Sequence, residues 1–199
     1  MKKYRLVAWV LTALLCLPVG ARAETPTAYV KGILQKVLAI QNDPALAGPA
    51  HQAARSQAIR QIIKANFDFS MMARDSLGPT YNRLSASQAR EFEQIFARLF
   101  QDSYTRLVVN FLKRETIQYH QESVQGDRAQ VKTTIVRINE TIPVEYLMRS
   151  RSQGWVLYDV KVDGVSILQT YKDQFARVIQ NQSFSFLLNR MKTQAQALD

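Results

Sequence analysis

Residues 116–163 read TIQYHQESVQGDRAQVKTTIVRINETIPVEYLMRSRSQGWVLYDVKVD, and here the apolar period falls to 2 after a long stretch at 3.6. Short polar turns cut the stretch into four runs. Gln125-Gly126-Asp127 separates Thr116–Val124 from Ala129–Ile138. Asn139-Glu140 leads into Thr141–Arg151, and Ser152-Gln153-Gly154 leads into Trp155–Asp163. Strands joined by turns this short pair with their neighbours, so the stretch reads as a four-stranded antiparallel meander. Pro143 is tolerable near the start of the third strand. Strict alternation on the fourth strand puts Val156, Tyr158, Val160 and Val162 on one face. Trp155, Leu157, Asp159, Lys161 and Asp163 then share the other. Gly164 reads as the end of the sheet.

Upstream the pattern is helical. Val30, Ile33, Leu34, Val37 and Leu38 mark an amphipathic helix over 27–40, closed by Asn42-Asp43-Pro44. A second helix covers 50–66, with Ile59, Ile62 and Ile63 on one side. A short third covers 67–77, with Asp68 as its cap and Gly78-Pro79 as its stop. The longest covers 86–112. Ser85 and Gln88 form its capping-box pattern, and Phe92, Phe96, Phe100, Tyr104, Val108 and Phe111 lie along it. At 1.5 Å per residue it is about 40 Å long, the spine of a domain this size. Downstream, 165–180 and 183–195 are helical again. Helices, meander, helices is an α+β arrangement. One domain over 24–199 is expected, helical over 25–112, a β-meander over 116–163, and closed by C-terminal helices over 165–195.

The first residues have another purpose. Lys2, Lys3 and Arg5 precede the apolar run Leu6–Val19, and Ala21-Arg22-Ala23 is a small-residue cleavage site. This is the order of a secretory signal peptide, with cleavage expected after Ala23 and a periplasmic location for the product. The apolar run is short of the roughly 20 residues that span a bilayer. Cleavage removes Lys2, Lys3, Arg5 and Arg22 and so takes the formal charge from +10 to +6. It also removes Cys16, the one cysteine, so the exported chain has neither disulfide nor thiol chemistry. Export excludes nucleic acid as the target of the remaining basicity and leaves anionic surfaces, acidic partners or plain solubility.

The sequence offers little for catalysis. His51 and His120 are far apart, and there is no zinc, calcium, phosphate-loop or nucleophile-elbow motif, so no metal is expected and a non-enzyme is the preferred reading. Asp159 and Asp163 read as solvated charges. What the chain has in excess is apolar surface: all nine Phe follow the signal peptide. Such a stripe is ordinarily core, and a cavity needs a further argument.

Three stretches supply one. They are Phe67-Asp68-Phe69-Ser70-Met71-Met72-Ala73-Arg74 with Leu77-Gly78; Leu84-Ser85-Ala86-Ser87-Gln88 leading to Phe92, Phe96 and Tyr104; and 155–167, WVLYDVKVDGVSI, running on to Tyr171-Lys172-Asp173-Gln174-Phe175. Together they resemble the MlaC, or toluene-tolerance, family of periplasmic phospholipid shuttles. The third stretch is the most specific. Tyr81 stands where the family often has Trp, and Lys172 where it often has Arg.

The resemblance implies an NTF2-like curved sheet wrapped by helices around a deep apolar cavity for the tails of one phospholipid. It implies no cofactor beyond that cargo, and a monomer exchanging lipid with an outer-membrane lipoprotein–porin complex and an inner-membrane ABC transporter, helping to maintain outer-membrane lipid asymmetry. A hopanoid-transport paralogue is similar. The expected cavity residues are Phe100, Tyr104 and Val108 from the long helix, and Tyr146, Met148, Tyr158 and Val160 from the last two strands. Val165, Ile167, Tyr171 and Phe175 follow the sheet. Arg149 and Arg151 are expected to dock partners. Two other readings are an NTF2-like enzyme using Asp159 with Tyr171, and a structural adaptor with a solid core.

Overall fold

The computed structural model describes residues 24–198; the signal peptide read over 1–23 lies outside the described residues. Four helices come first: α1 (Pro26–Gln41), α2 (Gln52–Asn66), α3 (Phe69–Leu77) and α4 (Ala86–Phe111). The strands are β1 (Thr116–Gln125), β2 (Arg128–Val136), β3 (Thr141–Arg151), β4 (Gly154–Val162) and β5 (Val165–Ser166), and α5 (Ile167–Asn181) and α6 (Phe184–Gln196) complete the chain. The architecture is α+β. Among the described residues no helix is long and apolar enough to cross a membrane.

Local chemistry sets the boundaries. Ser85 accepts the Gln88 N–H, and the Gln88 side chain accepts the Ser85 N–H, so two donors at the start of α4 are satisfied together. Asp68 accepts the Met71 N–H and caps α3. At the other end of α3, Gly78 has φ +52 and its N–H reaches the carbonyls of Arg74 and Asp75, a left-handed stop that a Cβ would strain.

The sheet runs β1-β2-β3-β4-β5, every neighbouring pair antiparallel. It has five strands where four were expected. Asp163 (φ 50) and Gly164 (φ 77) are both left-handed, the requirement of a two-residue type I′ turn, and they fold Val165 back onto Val162. Asp-Gly here opens a last hairpin; it does not end the sheet.

A second difference matters more. The β3–β4 register steps from Met148 opposite Leu157 to Leu147 opposite Asp159, so Tyr158 is an extra residue in a bulge. The bulge resets the alternation. Leu157 and Val160 are both buried. Asp159, read as solvated, is buried too: Oδ1 accepts the N–H groups of Val160 and Leu168, and Oδ2 accepts the Ser166 hydroxyl. Its carboxylate therefore fastens the start of α5 to β4.

The core is built on α4. Phe92, Phe96 and Phe100 are fully buried, with ring centroids 6.0 Å apart at each four-residue step, and Tyr104 continues the stack 5.5 Å beyond Phe100. From α5, Tyr171 lies 5.5 Å from Phe96 and Phe175 lies 5.8 Å from Phe92. Deleting a buried Phe side chain costs about 3–5 kcal/mol. Phe96→Ala is expected to lose about that much in urea unfolding, and a loss below about 1 kcal/mol would mean this stack is not the core.

Candidate functional site

The aromatic stripe of α4 changes character along its length. Phe92 and Phe100 are solid core, Phe96 is buried with its edge on an outer groove, and from Tyr104 to Phe111 the helix end has hollows on either side.

The inner hollow lies between the sheet and α1, α2 and α4. Ile33, Val37, Ile62 and Ile63 face it from the first two helices, Tyr104, Val108 and Phe111 from α4, and Val144, Tyr146, Leu157 and Val160 from the sheet. Its walls are apolar apart from the two tyrosine hydroxyls, and its volume is about 70 Å³. The outer groove, about 840 Å³, opens between α4, α5 and α6. Phe96, Leu99 and Leu107 line it from α4, Val165, Ile167, Tyr171 and Phe175 from the post-sheet segment, and Leu187 and Met191 from α6. Leu107, Phe111 and Val162 line both hollows and so form the partition between them.

The expected cavity residues thus divide. Tyr104, Val108, Tyr146 and Val160 line the inner hollow; Val165, Ile167, Tyr171 and Phe175 line the outer groove. Phe100 and Met148 line neither, because both are packed into solid core. Tyr158 also lines neither. The bulge turns it away, and the Arg128 guanidinium sits 4.6 Å from its ring centroid. Leu157 holds the place assigned to Tyr158. The partition residues and the walls from α1, α2 and α6 were missed, since their apolar spacing is that of any core-facing helix.

Side chains rather than backbone close the C-terminal end of α4. The Gln41 amide donates to the carbonyls of Val109 (3.0 Å) and Leu112 (2.8 Å), and Asn42 to that of Lys113 (3.0 Å). Arg137 donates to the Phe111 carbonyl at 2.5 Å, lies 4.3 Å from its ring centroid, and pairs with Glu115 and Glu140. The partition residue Phe111 is thereby held from outside the hollows.

Arg149 and Arg151 have an internal assignment. Both pair with Asp68, whose side chain is 1% exposed: Arg149 Nε donates at 2.6 Å and Arg151 Nη2 at 2.5 Å. The Asp68 backbone N–H donates to the Leu157 carbonyl at 2.8 Å, so this residue ties the start of α3 to β3 through its carboxylate and to β4 through its backbone. Converting both arginines to Glu would surround a buried carboxylate with like charge. R149E/R151E is expected to destabilise the fold by about 3 kcal/mol or more, read by thermal or urea unfolding. Unchanged stability would free these residues for a role at the surface alone.

The chain matches the MlaC family, described as MlaC protein, over residues 31–193. It is 25% identical over 125 residues to the intermembrane phospholipid transport system binding protein MlaC of Haemophilus influenzae, a match spanning 60% of this chain and 58% of that protein's length. It is 21% identical over 167 residues to the toluene tolerance protein ttg2D of Pseudomonas putida, covering 79% of this chain and 74% of the relative. A crystallised phospholipid-binding protein of Ralstonia solanacearum, solved in complex with a phospholipid, superposes with a TM-score of 0.74 at 24% identity, over 87% of this chain and 98% of that one. At that identity the likeness is one of fold.

Burial raises the pKa of both tyrosines of the inner hollow, Tyr104 and Tyr146, and pushes Tyr29 up to about 12. A raised folded pKa gives stability that is complete below the unfolded value near 10 and is lost as pH climbs toward the folded value. Unfolding free energy is therefore expected to fall from about pH 10 upward, with no tyrosine contribution to pH dependence below it. Stability that stays flat to about pH 11 would show that these hydroxyls ionise freely in the native state.

Proposed function

This chain belongs to the MlaC family, and we propose that it is a periplasmic carrier that holds one phospholipid by its acyl chains. The observation that carries the reading is the pair of apolar hollows separated by three side chains. Exposing a methylene to water costs about 0.8 kcal/mol, so two tails of about 15 carbons cost on the order of 20 kcal/mol in an aqueous gap. Apolar walls that cover the tails offset most of that cost without needing specific polar contacts around them.

The sizes suggest how the cargo enters. Sites for drug-sized ligands run about 300–1,000 Å³. The outer groove falls in that range, and the inner hollow, at about 70 Å³, does not. In this reading the tails enter by the groove, displace Leu107, Phe111 and Val162, and merge the two spaces into the deep cavity of an NTF2-like curved sheet wrapped by helices. Leu107 is 37% exposed on the last turns of α4, so in this reading its side chain swings aside with the backbone unchanged.

The wider reading follows the relatives. The chain is exported after loss of residues 1–23 and works as a monomer. It exchanges lipid with an outer-membrane lipoprotein–porin complex and an inner-membrane ABC transporter, and so helps to preserve lipid asymmetry. The outward edges of Arg149 and Arg151, beyond their pairing with Asp68, belong to the proposed docking surface. Catalysis is no part of this reading. Asp159, the suggested partner of Tyr171, has its carboxylate engaged by Val160, Ser166 and Leu168, while Tyr171 packs among Phe96, Phe100 and Phe175.

Native mass spectrometry of protein recovered gently from cells is expected to show one bound phospholipid; protein that is consistently bare and takes up none from vesicles would sink the reading. Val108→Asp or Val160→Asp places a carboxylate in the inner hollow at a cost of several kcal/mol when tails surround it. Each variant that keeps its circular dichroism spectrum is expected to lose lipid uptake. Full uptake by a folded variant would remove that residue from the lining.

A further inference from the structure

The two hollows account for the tails of an amphiphile and leave its head unassigned. The outer groove carries a feature that apolar cargo does not require. Its floor, from α4, is Phe96, Leu99 and Leu107, but its lip, along α5 and α6, is polar. Thr170, Gln174 and Arg177 lie at helical spacing on one side, and Arg190 and Gln194 on the other, with no acidic residue anywhere in the lining. The lip therefore carries two positive charges and no counter-charge.

These arginines are also unusual within the molecule. Arg60 and Arg106 pair with Asp102, Arg149 and Arg151 with Asp68, and Arg137 with Glu115 and Glu140. Arg128 and Arg74 lie over the rings of Tyr158 and Tyr81, and Arg55, Arg83 and Arg114 donate to oxygens. Arg98 is also engaged. Among the described arginines that leaves Arg90, Arg177 and Arg190 without an acidic, carbonyl or ring partner. Two of these three border one groove.

We propose that Arg177 and Arg190 form a phosphate-recognising lip for the head group of the cargo lipid, so that the protein selects phosphate-bearing amphiphiles over neutral ones with the same tails. Guanidinium groups suit the purpose: they stay charged at every working pH and meet phosphate oxygens through paired N–H donors. Gln174 and Gln194 add neutral donors to the same lip. The apolar floor fixes where the tails lie and so brings the phosphate to the lip; neither part alone specifies a phospholipid. Because the arginines are exposed, the attraction is screened by salt, which leaves the head group releasable while the tails remain shielded.

This proposal rests on the carrier reading, and the experiment separates the two. The exported chain, residues 24–199, is offered mixed vesicles of phosphatidylglycerol and diacylglycerol with identical chains, and the bound lipids are counted by native mass spectrometry. The wild type is expected to favour phosphatidylglycerol by about tenfold at low salt, with the preference shrinking as salt rises. Arg177→Gln with Arg190→Gln is expected to bring the ratio to about one while diacylglycerol uptake stays unchanged. Replacement of both by Lys should restore part of the preference, because the charge returns without the fork. Arg90→Gln, which removes the third unpartnered guanidinium away from the groove, should leave the wild-type ratio. Equal uptake of both lipids by the wild type, or a preference that survives the double Gln variant, overturns the lip and leaves the carrier intact. Uptake of neither lipid overturns both.

Discussion

The stack of Phe92, Phe96, Phe100 and Tyr104 along α4 is the contact on which the other elements are hung. Rings spaced four residues apart on a helix lie one above the next, so a single helix presents a continuous aromatic ridge. α5 packs Tyr171 and Phe175 against its N-terminal half, and Phe67 and Phe69, at the start of α3, meet it at Phe100. Fixing that half lets the other half do something different. The proposed carrier role asks for a protein rigid enough to stay folded and soft enough to open, and close packing resists any change of cavity volume. Here the two demands fall on successive stretches of one helix: the ring stack runs from Phe92 to Tyr104, and the inner hollow begins at Tyr104.

Two buried carboxylates then fix the sheet to the helices. Asp68 joins the start of α3 to Arg149 and Arg151, and Asp159 joins β4 to the first turn of α5. Neither lines the inner hollow or the outer groove. Each has its oxygens engaged by N–H or O–H donors, the condition under which a buried charge is tolerable. The interior facing the hollows can therefore be almost wholly apolar, because the polar ties between layers are made at the β4 edge and the helix starts.

How far the sequence anticipated this depends on the kind of signal. The helices were legible because capping and period agree: Ser85 with Gln88, and Asp68 ahead of α3, behave as their local chemistry requires. The meander was legible from its turns. The fourth strand was misread because a bulge leaves no compositional mark. Strict alternation assigned Tyr158 to the hollow, and one inserted residue gave that place to Leu157 and buried Asp159. β5 is hidden for a related reason: Gly164 reads as the end of the sheet, but Asp-Gly equally favours a hairpin. Arg149 and Arg151 show a third limit. Their partner, Asp68, is far away in the chain, and charge pairing over that distance leaves no periodicity to detect. The walls from α1 and α2 show a fourth, since an apolar helix face looks the same whether it meets another side chain or a hollow.

That last ambiguity bears on why Phe111 is held as it is. A helix that ended in a glycine cap would close its carbonyls with its own backbone, and moving its last turn would break them. α4 instead has its final carbonyls satisfied by Gln41 at the end of α1 and by Arg137 just after β2, while Asn42 holds the Lys113 carbonyl that follows. Arg137 covers the Phe111 ring as well, with Glu115 and Glu140 balancing its charge. Contacts of this kind are individually worth about 0.5–3 kcal/mol and re-form with water when broken. The wall between the hollows thus rests on bonds weak enough to exchange singly, while the ridge behind it rests on packing that does not yield. In the proposed carrier role, burial of lipid tails, worth on the order of 20 kcal/mol, would be ample to drive such an exchange and far too dispersed to require a dedicated hinge.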